Sequence, residues 1–286
     1  MFVVSFATAA QQAPPPPAGA AAQQQTAPDG GRGSARPGGP GATGTVGGVG
    51  PPPRRAAGPA PRRPDGRVLL GAPPGIKGVW LPREGGAAIL VDAGAVPFQP
   101  WARVLAGERV RHRLEPHARC KPSGAARQLL TPYGVEIVEL PELQRIFIFD
   151  IGGPHTYRTI YLDGRPHPAR PAPSYYGHSI GRWDGDTLIV DTVGFNEGFW
   201  IDRPGTPHTE ALRVIERLTR LDSRSMRYAV TIDDPGTFTR PWDAGFELSW
   251  EDETELFEYI CQQANFADTL MVGEATSVDR SSAIVP

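Results

Sequence analysis

Residues 176–192 read Tyr-Gly-His-Ser-Ile-Gly-Arg-Trp-Asp-Gly-Asp-Thr-Leu-Ile-Val-Asp-Thr, and no other stretch of the chain restricts its fold as tightly. Asp184-Gly185 is a dipeptide that tolerates the positive φ angles of a tight hairpin turn, and a β-prone run lies on each side of it. A two-residue turn at Asp184-Gly185 pairs Trp183 with Asp186, Ile180 with Ile189 and His178 with Asp191. Side chains alternate across a strand, so Tyr176, His178, Ile180, Arg182, Thr187, Ile189 and Asp191 share one face. Ser179, Trp183, Leu188 and Val190 take the other, which reads as the packed one. The first face is then either a polar lumen or a surface turned to solvent. A histidine facing an aspartate can be an acid–base pair, because the carboxylate fixes the imidazole tautomer and raises its basicity. It can equally be a plain cross-strand contact.

The rest of the chain extends this pattern. Residues 135–140, 145–150 and 157–162 are β-branched or aromatic, each bounded by Pro or Gly. Two more hairpins are expected, at 212–220 with 226–233 and at 246–250 with 256–261, and residues 78–82 and 87–91 read as short edge strands. Residues 97–113 form the one amphipathic helix candidate, with Trp101, Val104, Leu105 and Val110 as its apolar stripe. Residues 167–173 hold three prolines and must be an extended loop. The fold expected is mainly β: an antiparallel meander closed into a small lipocalin-like barrel, or a strongly curved sheet, with one N-terminal helical segment. The alternative is an α+β cone, which the absence of a second amphipathic helix disfavours.

Composition sets the limits of that domain. Of the 286 residues, the first 75 hold nearly half of the prolines and few large apolar side chains. Residues 13–74 are expected to be a disordered Pro/Gly/Arg-rich linker, dispensable for folding, residues 75–265 the single β-rich domain, and 266–286 a flexible tail. Residues 1–12 are apolar and then small, with an A-x-A pattern at Ala7-Thr8-Ala9 but no basic start, as in a degenerate or truncated signal segment. The expected location is periplasmic or secreted. The formal net charge of −2 argues against a nucleic-acid partner, and no run reaches the length of a transmembrane helix. Cys120 and Cys261 stand at opposite ends of the β region; in an oxidising compartment they would form a disulfide, and otherwise they are two unrelated buried thiols.

Several blocks in one order carry a resemblance. Cys120-Lys-Pro-Ser-Gly, Asp163-Gly-Arg-Pro-His-Pro, the 177–192 block, Thr206-Pro-His-Thr-Glu, Glu216-Arg-Leu-Thr-Arg, Asp233-Asp-Pro and Glu258-Tyr-Ile-Cys together resemble an uncharacterised family of exported bacterial proteins. The resemblance spans about residues 97–265. It implies export, a single β-rich domain and the two cysteines recurring together, and it implies no mechanism.

Candidate chemistry rests on histidines. His178 with Asp191 is the leading pair, and His155 and His208, both in loops, are further acid–base candidates. Tyr176, Arg182 and Trp200 are candidates for contacting a small organic ligand. No close-spaced metal signature links the histidines, so neither metal nor cofactor is assigned. Gly177-His-Ser-Ile-Gly matches G-x-S-x-G in letters only, since it runs from strand to strand and not from strand to helix. Two function classes remain: an exported protein acting on or binding a small organic ligand in a barrel pocket by His/Asp chemistry, and a non-catalytic ligand-binding or envelope-associated barrel. Oligomeric state is not legible.

Overall fold

The structure, a computed structural model, describes residues 56–83, 96–112, 115–152, 154–252, 254–258 and 260–261. The chain divides into two units, Met1–Arg54 and Arg55–Pro286, and every described residue belongs to the second.

Nine strands close into one barrel: β1 (Gly78–Pro82), β2 (Val135–Leu140), β3 (Arg145–Asp150), β4 (Tyr157–Tyr161), β5 (His178–Asp184), β6 (Thr187–Val193), β7 (Arg213–Arg220), β8 (Ser225–Asp233) and β9 (Trp242–Asp252). Closure through β1–β9 pairing leaves no open sheet edge, which removes the template for unwanted strand addition. Burial alternates along β3, β6 and β7. In β7, Val214, Glu216, Leu218 and Arg220 point inward while Arg213 and Arg217 are exposed. The interior is a packed core around Trp80, Ile146, Ile148, Leu188, Val190 and Tyr228, each at most 1% exposed. The expected barrel is present and closed, and its connections are antiparallel but for one pair.

The ninth strand has a topological cost. Strands that alternate up and down cannot close a ring of odd number, so one neighbouring pair must be parallel. That pair is β4–β5, with Ile160 opposite Ser179 and Tyr161 opposite Ile180. The chain leaving Tyr161 must therefore return to the opposite rim before it can enter His178. The interior being filled, it does so outside: Pro171 of this crossover packs against Gly194, and His167 reaches His178. Pro166, Pro168, Pro171 and Pro173 keep it extended.

Two short helices complete the unit. Helix α1 (Pro100–His112) packs on the segment after β8, with Gln99 N–H bonded to Thr237 O at 2.7 Å. Its expected apolar stripe is wrong in phase: Trp101, Val104 and Val110 are 46%, 67% and 52% exposed, and Ala102 is the buried residue. The helix docks through Ala102 and through Arg109, whose aliphatic stem lies against Gly205 and whose guanidinium lies over Trp200. Helix α2 (Ala125–Gln128) is buried throughout and plugs one rim.

Part of the segment 56–74 docks on the barrel, so the domain begins earlier than residue 75. Val68 and Leu70 have no exposed surface, and Leu70 O accepts the indole N–H of Trp80 at 2.8 Å. Arg220 lies between Trp80 and Trp250 and donates to Leu69 O and Gly71 O at 2.7 and 2.8 Å. Arg220 thus closes this rim on backbone carbonyls. The last expected hairpin also differs. Strand β9 pairs with β8 and β1, and residues 256–258, 260 and 261 take no strand structure. The expected strand at 87–91 lies outside the described residues.

Cys120 and Cys261 are disulfide-bonded, with Cα atoms 5.6 Å apart. The bond links residues 141 apart in sequence and holds the end of the described chain against the loop that precedes α2. Among the described residues no helix is long and apolar enough to cross a membrane.

Candidate functional site

The β5–β6 hairpin turns at Gly185-Asp186, one residue later than the Asp184-Gly185 turn expected. Asp184 pairs with Thr187, Ile180 with Asp191, and His178 with Val193. Gly185 alone of the two turn residues has a positive φ, +57°, the signature of a type II′ turn with Gly first. The shift of two residues preserves both faces but makes His178 and Asp191 diagonal neighbours and not a direct pair.

The His178 face is the outside of the barrel, so the expected polar lumen is corrected: Ser179, Leu188, Val190 and Thr192 point inward and are fully buried. That face is only partly open to solvent, with Arg182 exposed and His178, Ile180 and Asp191 half-buried. The crossover lies along it and places His167 between the two residues. His167 Nδ1 is 2.9 Å from His178 Nδ1, and His167 Nε2 is 3.8 Å from Asp191 Oδ2. The second distance is an ion-pair distance, too long for a hydrogen bond. Two imidazole nitrogens at hydrogen-bond distance can share only one proton, so one ring donates and the other accepts. The arrangement is a chain, Asp191–His167–His178.

Electrostatics sharpen the roles. Partial burial pushes the His178 imidazole below the ordinary histidine range, helped by His167 and Arg165 and opposed by Asp163. Burial pushes Asp191 upward, but the bidentate Arg213 guanidinium, at 2.9 and 2.6 Å, prevails and holds the carboxyl below its usual range. Tyr161 stacks on His178 with ring centres 5.3 Å apart, and Arg165 lies 4.1 Å over the same tyrosine.

Beside this chain is a groove of about 270 Å³ lined by Tyr161, Gly164, Arg165, Ile180, Gly181, Arg182, Ile189 and Asp191. Its floor is apolar, from Ile180 and Ile189. Of its charged residues, Arg165 is paired with Asp163 and Asp191 with Arg213, while Arg182 has no partner among the described residues.

The other expected site residues lie elsewhere. Tyr176 does not continue the His178 face, because Gly177 between them has φ +62° and breaks the alternation before β5 begins. Tyr176 instead hydrogen-bonds Asp150, and its hydroxyl is 2.8 Å from Thr156 Oγ1. His208 is buried against Phe199 at 4.1 Å between ring centres, with its nitrogens facing Phe199 O and Thr209 O. His155 packs edge-on to Phe257. Trp200 is buried under Arg109 of α1. Of the expected residues, the groove region gathers His178, Asp191 and Arg182. His167, Tyr161, Arg165 and Arg213 were not anticipated. The signal for His167 was present in the Pro-rich stretch 166–173, but only the parallel pair explains why it folds onto β5.

A second polar cluster sits by the α2 plug. Burial pushes the Asp150 carboxyl up to about 6, against hydrogen bonds from Tyr176 and Thr156 and the nearby Gln128 amide. Gln128 Nε2 donates to Ile148 O at 3.0 Å, which leaves Gln128 Oε1 and Asp150 Oδ1 as buried acceptors without a donor. One proton on Asp150 supplies a donor between them, so the site suits a neutral carboxyl. Among the described residues no group of three or more His, Cys, Asp or Glu side chains is placed to hold a metal ion.

Compared with known protein families, with curated proteins and with solved structures, the chain matches none.

Proposed function

We propose that this protein is exported, that it binds a small organic molecule in the groove on the outer wall of β5–β6, and that it exchanges a proton with it through Asp191, His167 and His178. The observation that carries this reading is the His167–His178 contact of 2.9 Å beside a groove that Asp191 itself lines. A single proton shared between two imidazoles can be handed on without either ring becoming an isolated buried cation. The depressed basicity of His178 keeps that ring neutral near pH 7, where it can accept a proton. The disulfide supports export, since such bonds persist in oxidising compartments. The resemblance to exported bacterial proteins points the same way.

A non-catalytic ligand-binding barrel is the second reading, and one observation favours it: Arg213 locks Asp191 as a weakly basic carboxylate. The two readings part in one experiment. Purified protein is incubated with a metabolite extract, and both retained mass and substrate depletion are followed for wild type, His178→Ala and Asp191→Asn. Proton-transfer chemistry predicts turnover by wild type and its loss in His178→Ala, with an unchanged thermal midpoint. Retention without turnover, unaffected by His178→Ala, supports the binding protein. A retained ligand unaffected by either substitution removes the groove from consideration.

A further inference from the structure

The distribution of unpaired charge in the groove specifies what it would hold, an inference that rests on the groove being the ligand site. Arg182, Ile189 and Arg217 stand directly opposite one another across β5, β6 and β7 on the outer wall. Directly opposed residues have Cβ atoms about 5 Å apart, so both guanidinium groups can reach an anion lying over Ile189. Neither arginine has a hydrogen-bond or ion-pair partner among the described residues; Arg182 lines the groove, and Arg217 stands just beyond its lining, on β7 opposite Ile189. Arg165 is matched by Asp163, Arg213 by Asp191, and Arg62 bidentately by Asp186 beyond the turn. Among the described residues Asp184, two residues along β5 towards the turn, is the one unmatched acid on this face, so the excess positive charge lies on the Arg182–Arg217 row. A carboxylate is the group a guanidinium fork recognises in two parallel hydrogen bonds.

At the other end of the same floor, Asp191 lines the groove. It lies two residues along β6 from Ile189, about 6.6 Å away in an extended strand. Its charge is already balanced by Arg213 in a bidentate contact, so an ammonium there would be in excess, whereas a neutral hydroxyl needs only a lone pair to donate to. Between the two ends Ile180 and Ile189 offer only apolar surface. A volume of about 270 Å³ suits a small molecule of about a dozen heavy atoms.

We infer that the groove takes a small hydroxylated carboxylate: the carboxylate on Arg182 and Arg217, a compact apolar body on Ile180 and Ile189, and a hydroxyl donating to Asp191 at the head of the histidine chain. The hydroxyl end is the one that meets the proton path, so Arg182 is a specificity-determining and positioning residue.

The probe is 4-hydroxybenzoate, whose flat ring separates hydroxyl and carboxylate by about the span between the two anchors. Benzoate lacks the donor, and 4-hydroxybenzamide lacks the charge. Binding is read from backbone amide NMR shifts at Ile180, Gly181, Arg182 and Ile189 during titration. Saturable shifts with 4-hydroxybenzoate are expected, with binding at least tenfold weaker for the amide and severalfold weaker for benzoate. Arg182→Gln should weaken 4-hydroxybenzoate at least tenfold, and Arg227→Gln, on the outer wall of β8, should not change it. Equal binding of the amide, or no effect of Arg182→Gln, overturns the carboxylate assignment while the groove reading stands. Absence of groove shifts with 4-hydroxybenzoate also overturns the assignment. In that case a metabolite retained by wild type and lost in Asp191→Asn leaves the groove reading intact, and no such metabolite removes both.

Discussion

Strands β5 and β6 carry a polar network on each of their two sides, and the two are built to opposite standards. Inside, Arg158 donates to Ser179 Oγ, Thr192 Oγ1 and both oxygens of Glu216, and Glu216 also accepts from the Tyr228 hydroxyl at 3.0 Å. These five residues are almost entirely buried and satisfy one another. Outside, across the thickness of β5 and β6, His178, His167 and Asp191 are half-buried and joined by one short contact and one long one. A buried ion pair left with an unmatched member costs several kcal/mol, so the inner network has to be complete to exist at all. A groove wall tolerates loose ends because water or a ligand can meet them. The difference separates a network that specifies the fold from one free to do chemistry.

The sharpest test of that division is Glu216→Ala. It strands the Arg158 guanidinium in the core and should cost roughly 3–5 kcal/mol, seen as a large drop in the urea midpoint. A loss below about 1 kcal/mol would show that the interior admits water, and the contrast between the networks would fail.

Removing the disulfide by Cys120→Ser with Cys261→Ser comes next, at about 2–4 kcal/mol, because the bond closes a long loop in the unfolded chain. The effect should fall on stability alone and leave ligand retention in the groove unchanged. Retention that falls with the disulfide would mean the end of the chain supports the groove.

Asp150→Asn should move stability the other way. The folded-state value of about 6 lies above the usual carboxyl value of 3.8, so the folded protein binds the extra proton between those pH values. Stability is therefore lost as pH rises from about 4 to 6, and ionised Asp150 costs the fold on the order of 3 kcal/mol above that window. The variant should match wild type near pH 4 and exceed it at pH 7.5 in thermal midpoint. An advantage of the same size at both values would contradict a neutral Asp150.

His178→Ala should be smallest, below about 1 kcal/mol, since the ring lies on the outer wall. Its sign with pH is fixed. A histidine depressed below its unfolded value binds fewer protons folded than unfolded, so wild type loses stability as pH falls below about 6.5, and the variant should show less of that loss.

The sequence revealed the strands well and the site only in part. Strands β2 and β3 are legible to the residue, because short runs rich in Val, Ile and Phe bounded by turn residues are a local signal. The disulfide was legible from two cysteines and their context. The burial of Val68 and Leu70 was hidden by the Pro- and Arg-rich residues around them, since composition averaged over a window cannot show two docked side chains. The phase of α1 failed because its contact runs through an alanine and an arginine stem, which no apolar stripe marks. The face of His178 and Asp191 survived a turn shifted by one position, as parity guarantees. Their connection through His167 did not appear, because it depends on the barrel having an odd number of strands, a property of the whole chain and not of any stretch.

The central claim, that His167 and His178 share one proton beside the groove, is tested most directly by nitrogen NMR of the two imidazole rings across pH 5 to 8. The account predicts one protonated and one bare Nδ1 at neutral pH, with His178 protonating below the ordinary histidine range. Both Nδ1 atoms bare, with His178 protonating in the ordinary range, would contradict it.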